Sequence, residues 1–216
     1  MNLVHKLGLA MVVPALLIWI VGVYATSVTE ASLRSSIEST AALRAKAVMD
    51  EIDRTIDHRA AGWAAFVRST IVRETLAASN ERFEALDDPR ARIDAWDDEW
   101  QRTPPNEVSP FMADLLDNRL ARDLIALRVA LEKAAGYDVF PEVFLTNRFG
   151  ANVAQTNRTS DFRQDDESWW QRAVEDGVHL GEVDRDESAG VYSIDICVRV
   201  DDEHGALAGV LKAVLN

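Results

Sequence analysis

Val191-Tyr192-Ser193-Ile194-Asp195-Ile196-Cys197-Val198-Arg199-Val200 alternates apolar and polar side chains, and a period of two marks a strand with one face toward a core. Tyr192, Ile194, Ile196 and Val198 fall on one face, which is expected to pack on a helix. Ser193, Asp195, Cys197 and Arg199 fall on the other, facing whatever segment folds back over the sheet. A carboxylate in mid-strand is solvated, paired or set for a ligand; Arg199, Arg185 and Arg163 are the partners weighed for Asp195.

Working outward, Asp201-Asp202-Glu203-His204-Gly205 reads as a turn into a strand over Ala206 to Val214, and Val178 to Val183 reads as a strand before it. Val143 to Thr146 and Asn152 to Thr156 flank Asn147-Arg148-Phe149-Gly150, a hairpin signal in which Gly150 can take a positive φ. About five strands joined by tight turns predict an antiparallel sheet in an α+β fold. Between hairpin and third strand, Ser168 to Glu175 reads as a short helix carrying Trp169 and Trp170. Adjacent residues on one turn cannot face the same way, so one tryptophan is expected in the sheet's core and the other, Trp170, over a cavity.

Upstream the pattern is helical. From Val28 to Ala78 there is one glycine and no proline, which predicts a single long helix. Ala45, Met49, Ile52, Ile56, Arg59, Trp63, Phe66 and Thr70 recur at alternating steps of four and three and form one seam. Its far half is expected to lie on the sheet, and its near half to pair with the same helix of a second subunit as a parallel homodimer. A short acidic helix with Ile93, Trp96 and Trp100 follows. Ser109 then caps a helix whose Met112, Leu116, Leu120, Leu124, Leu127 and Leu131 make an apolar stripe to about Ala134.

Leu7 to Thr29 carries no charged side chain and is long enough to cross a hydrocarbon layer. Lys6 precedes it and Glu30 follows, so the N-terminus is expected in the cytoplasm and the rest outside. An uncleaved anchor is favoured over a signal peptide ending near Val23-Tyr24-Ala25, because the apolar run exceeds a signal core. The resulting division is 1–29 cytoplasmic N-terminus and span, 30–80 long helix, and 81–216 the remaining helices and sensor core.

The formal charge is −13, and all 36 acidic residues follow Thr29. Such a surface repels nucleic acid and anionic lipid. Cys197 is the only cysteine, which excludes an intrachain disulfide and a cysteine-rich metal site; it is expected to be a buried strand residue. G-x-S-x-G, H-E-x-x-H, the phosphate-binding loop and the dinucleotide fingerprint are all missing from the sequence, so no enzyme and no cofactor are expected within it.

The order of these features, a membrane span, a long helix, a hairpin, an acidic segment ending in Trp169-Trp170, Asp186-Glu187-Ser188-Ala189-Gly190 before a strand, Asp-Asp-x-x-Gly and a closing Gly209-Val210-Leu211 strand, resembles the Cache family. These are PAS-like extracytoplasmic sensors of bacterial chemoreceptors, histidine kinases and cyclic-nucleotide or cyclic-dinucleotide enzymes. The resemblance implies a ligand held between the sheet and the loop-helix segment, a domain outside the inner membrane, and a chain continuing past Asn216 to a cytoplasmic output module. The amino-acid-binding branch carries an aromatic residue, an arginine and an aromatic pair spaced as Phe162, Glu167 and Trp169-Trp170 are here. Glu167 stands where that branch has arginine, and the last strand has no aspartate to receive an amine.

The expected ligand pocket is therefore bounded by Phe162, Glu167, Trp169 and Trp170 on one side and by Tyr192 or Asp195 on the sheet. If Glu167, Asp184, Asp186 and Asp195 converge, they suit a cationic amine or a metal ion; otherwise they form a solvated acidic rim. Two functions follow: the small-ligand-sensing input of a transmembrane receptor, or a membrane-anchored extracytoplasmic binding or scaffold protein without output.

Overall fold

The computed structural model describes the backbone of residues 3–186 and 191–216, and their side chains except 3–10, 185, 186 and 191. Contacts divide the chain into two units, residues 1–56 and 57–216. Helix α1 (Leu3–Phe66) contains Pro14, which a membrane helix tolerates. From Met11 to Thr55 its side chains are exposed, among them Leu16, Ile18, Trp19 and Ile20, and this helix is long and apolar enough to cross a membrane. Met49 and Ile52, on the near half of the seam, are exposed as well.

In the second unit the last turns of α1 bury Ala60, Trp63 and Val67. Trp63 meets Phe140 edge-on, ring centroids 5.2 Å apart. The expectation of one helix to Ala78 is corrected here: α1 stops at Phe66, and α2 (Thr70–Glu84) begins after Ser69, whose backbone is extended. The break lets α2 bury its own face of Val72, Leu76, Ser79, Asn80 and Phe83. Helix α3 (Pro89–Arg102) starts at Asp88, whose carboxylate accepts the Ala91 N–H at 3.0 Å, the usual service of an N-cap aspartate.

The stripe from Met112 to Leu131 also divides, into α4 (Pro110–Leu116) and α5 (Arg119–Ala135). Asn118 causes the break. Its Oδ1 accepts the Ala121 N–H at 2.9 Å, capping α5, while its Nδ2 donates to the Val153 carbonyl at 2.8 Å. One amide thus caps a helix and ties it to the sheet.

The sheet comprises β1 (Glu142–Asn147), β2 (Asn152–Gln155), β3 (Val178–Leu180), β4 (Asp184–Asp186), β5 (Val191–Asp201) and β6 (Leu207–Leu215), with α6 (Ser168–Asp176) between β2 and β3. The order is β2-β1-β6-β5-β3, all antiparallel, with β4 also paired to β5. The five-stranded antiparallel sheet behind a long N-terminal helix is thus present, with β4 as an added short strand. The expected strand Val178 to Val183 is cut after Leu180. Between β3 and β4 the Gly181 N–H donates to the Asp195 carbonyl at 2.8 Å, holding the mid-strand carboxylate's backbone in place.

Register sorts the two faces. Leu145, Leu211 and Val198 lie opposite one another, and so do Phe144, Lys212 and Cys197. The first row packs toward the helices, where Asn80 Nδ2 donates to the Ala208 carbonyl at 2.8 Å. Closest approach falls at Gly209: a Cβ there would stand 2.1 Å from the Thr146 carbonyl and 2.9 Å from a Leu76 methyl. A backbone carbonyl in a ladder cannot yield that distance, so the position demands glycine. Gly209→Ala should therefore destabilise the chain by about 1–3 kcal/mol through overpacking, read as a lowered midpoint in thermal unfolding; an unchanged midpoint would contradict this packing.

Candidate functional site

The opposite face, carrying Phe144, Lys212 and Cys197, is shared between two coverings. Over one part lies α6, whose Trp169, Trp170 and Ala173 pack with Phe144, Cys197 and Val210. Trp169 meets Phe144 edge-on at 5.7 Å. Trp170 donates from Nε1 to Thr146 Oγ1 at 2.9 Å, so its one polar atom is satisfied inside the core. Cys197 is wholly buried, and burial, followed by the charge of Asp195, pushes its thiol up to about 12. It is the inert core cysteine expected.

The other part of this face opens into a cavity of about 720 Å³. Its floor is sheet: Glu142, Lys212, Val214, Ser193 and Asp195. Glu182 and Asp184 rise at one side, and the end of α3 with Arg158, Thr159 and Ser160 closes the other. Among the described residues the lining carries four carboxylates, Glu142, Glu182, Asp184 and Asp195, and two bases, Arg158 and Lys212.

Both bases are engaged. Arg158 donates to the carbonyls of Thr103 and Pro104, each at 2.7 Å, and to those of Trp100 and Glu107. Its guanidinium is spent on the C-terminal end of α3 and the turn after it, where carbonyls lack intrahelical partners and the negative end of the helix dipole lies. Lys212 Nζ stands 2.8 Å from Asp195 Oδ2 and 4.9 Å from the centre of the Trp169 ring. An ammonium between a carboxylate and an aromatic face is held by charge pairing and by the ring quadrupole together.

Of the six residues expected to bound the pocket, Asp195 lines this cavity. Phe162 is fully buried elsewhere, in a cluster with Trp96, Trp100 and Phe111. Its N–H and that of Arg163 both donate to Asp97 Oδ1, at 2.8 and 3.1 Å. Trp169 reaches the cavity's charges through Lys212, whereas Trp170 borders a separate cavity with Phe149 and Asp165. Tyr192 is exposed and lies on the other face of β5.

Glu167 precedes α6 outside the lining. Burial pushes its carboxyl above the ordinary glutamate range, Asp161 and Asp166 push it further, and Lys212 draws it back. Asp184 and Asp195 share the cavity; the side chain of Asp186 and residues 187–190 lie outside the described residues. Among the described residues no three His, Cys, Asp or Glu side chains gather closely enough to hold a metal ion.

Neither Arg199 nor Arg163 is the partner of Asp195, and the side chain of Arg185, the third candidate, lies outside the described residues. Arg199 pairs with Asp201 at 2.6 Å and donates to the Val174 carbonyl; Arg163 is bound to Asp165 and Asp94. Sequence reading missed Lys212, although it is the single charge in β6. It also missed Gln155, fully buried on the same sheet face opposite Phe144, with both amide atoms unpartnered among the described residues.

No protein-family model matches the chain, and no curated protein matches it either. Similar solved structures include the ligand-binding domain of the Campylobacter jejuni chemoreceptor Tlp3 in complex with 4-methylisoleucine, at 13% identity and a TM-score of 0.32, over 70% of this chain and 62% of that one. The sensor domain of E. coli DcuS aligns at 12% identity and a TM-score of 0.33, over 58% of this chain and 86% of that one. The ligand-binding domain of the Pseudomonas aeruginosa PAO1 amino acid chemoreceptor PctC, in complex with GABA, aligns at 12% and 0.32, over 67% and 58%. The chain thus spans less than two thirds of the length of the first of these.

Because the folded-state value of Glu167 is raised, its stabilising contribution is full below the ordinary glutamate range and is lost as pH rises through the raised value. Glu167→Gln removes that loss. The variant should melt above wild type at neutral pH and level with it in acid below the glutamate range; a gap independent of pH would contradict the assignment.

Proposed function

We propose that residues 57–216 are the small-ligand-sensing input domain of a bacterial transmembrane receptor, of the histidine kinase, chemoreceptor or cyclase type. The observation that carries this reading is the cavity on the open part of the sheet face. It is concave, of a volume suited to a small metabolite, and walled by segments that come together only in the folded domain. Residues 1–29 serve as cytoplasmic N-terminus and inner-membrane span, which places the domain outside the membrane. Residues 30–56, the rest of α1 in the first unit, then form the helical connection. Asp195 is the ligand-binding carboxylate and Lys212 its partner on β6, with Trp169 behind them. A negative lining selects a cation, and an amine is the cation proposed.

A thermal-shift screen of the full chain in detergent against amines, organic acids and divalent ions tests this, since a ligand of the native state raises the melting temperature. An amine is the expected hit. Asp195→Asn should keep the fold and weaken that ligand at least about tenfold, the scale of one charge-assisted hydrogen bond. A wild type that responds to no small molecule defeats the reading.

The exposed seam of α1 is the proposed homodimer contact, because a helix with apolar residues at alternating steps of four and three gains by pairing them. Cysteine placed at Met49 should then cross-link between two chains in membranes. Failure of the cross-link at every position from Ala45 to Ile56 would count against the dimer.

A further inference from the structure

Lys212 is an unusual cavity wall. A lysine at a cavity's edge ordinarily extends its ammonium to water, yet this one is folded down onto its own sheet. Its side chain keeps 17% of its exposure and that of Asp195 28%. The ammonium rests between the Asp195 carboxylate and the Trp169 face, with further carboxylates, Glu142 and Asp184, in the same cavity. Carboxylate plus aromatic face is the donor set that recognises a free alkylammonium.

We infer that Lys212 is a tethered cation occupying the ammonium subsite of the ligand, so that an amine binds by displacing it. The inference rests on the sensor cavity proposed above and adds its regulation. The ring and the carboxylate are preorganised by the internal ammonium, so the subsite stays assembled without ligand. The incoming amine must outcompete a partner held at high local concentration, and its apparent affinity is the intrinsic affinity multiplied by the fraction of molecules in which Lys212 has already left. The device sets a threshold: trace amines leave the pair closed, and only an amine with additional contacts in the cavity opens it.

The test uses the full chain in detergent with n-butylamine, which reproduces the four-carbon ammonium of a lysine side chain, and n-butanol as its neutral counterpart. Lys212→Met keeps the length of the side chain and removes its charge. The expected result is that n-butylamine raises the melting temperature of Lys212→Met with an apparent affinity at least about tenfold tighter than for wild type, while n-butanol moves neither. The double variant Lys212→Met with Asp195→Asn should lose the effect.

If Lys212→Met does not fold, labelling of wild type decides. Acetylation of Lys212, read by mass spectrometry against Lys46, should be slow and should rise when tetramethylammonium is added. Equal affinities in the first experiment, or unchanged labelling in the second, overturn the tethered cation and leave the sensing reading standing. An anion that binds wild type and is lost in Lys212→Met overturns it too, since Lys212 would then be the ligand's own clamp.

Discussion

The chain's last strand is the middle of its sheet. With β6 between β1 and β5, neither face is complete until residues 207–215 arrive, and both faces depend on what that strand presents. Toward the helices it presents Gly209, whose missing Cβ lets Leu76 and the Thr146 carbonyl close in. Toward the other side it presents Lys212, whose charge cannot be left alone in a half-dry site. One strand thereby makes one face a packed interior and the other a place where charge has to be matched.

That division explains why the cavity lies where it does. Alpha-6 covers the apolar part of the second face, ending where Phe144 and Cys197 give way to Lys212, Asp195 and Glu142. A helix with two tryptophans gains nothing by continuing over carboxylates. The far wall is instead backbone-rich, with Arg158 gathering four carbonyls at the end of α3. The Lys212–Asp195 pair is partly solvated, so its net worth is small, but removing one member strands the other beside a ring. Its value is arrangement more than stability.

Much of the fold was legible in the residues. The alternation over Val191 to Val200, the Asn147 to Gly150 turn and the helix start at Pro110 each follow from local backbone chemistry, although Ser109 Oγ, expected to cap that helix, makes no cap hydrogen bond. The helix breaks at Val67 to Ser69 and at Asp117 to Asn118 were overridden in the sequence by apolar spacing that runs on through Phe66 and Thr70 and through Leu116 and Leu120; Asn118 acts as a cap while bound to a carbonyl on β2. The site was harder. Aromatic spacing drew attention to Phe162 and Trp170, which satisfy packing and a buried hydrogen bond, whereas the cavity draws on the end of α3, the 158–160 loop and four strands. Lys212 was visible as the one charge in an apolar strand, but only register places it beside Asp195 and over Trp169.

The central claim is that Ser193, Asp195 and Lys212 face an accessible cavity that prefers cations. The buried, unreactive Cys197 leaves a silent thiol background, so a cysteine at Ser193 reports on the cavity alone. The deciding measurement is its rate of modification by trimethylammonium-ethyl methanethiosulfonate relative to the sulfonatoethyl reagent, each scaled to the same ratio for a free thiol. The account predicts reaction with both and a ratio shifted at least about tenfold toward the cation, as a negatively lined cleft requires. No reaction, or a ratio equal to or below that of the free thiol, contradicts it.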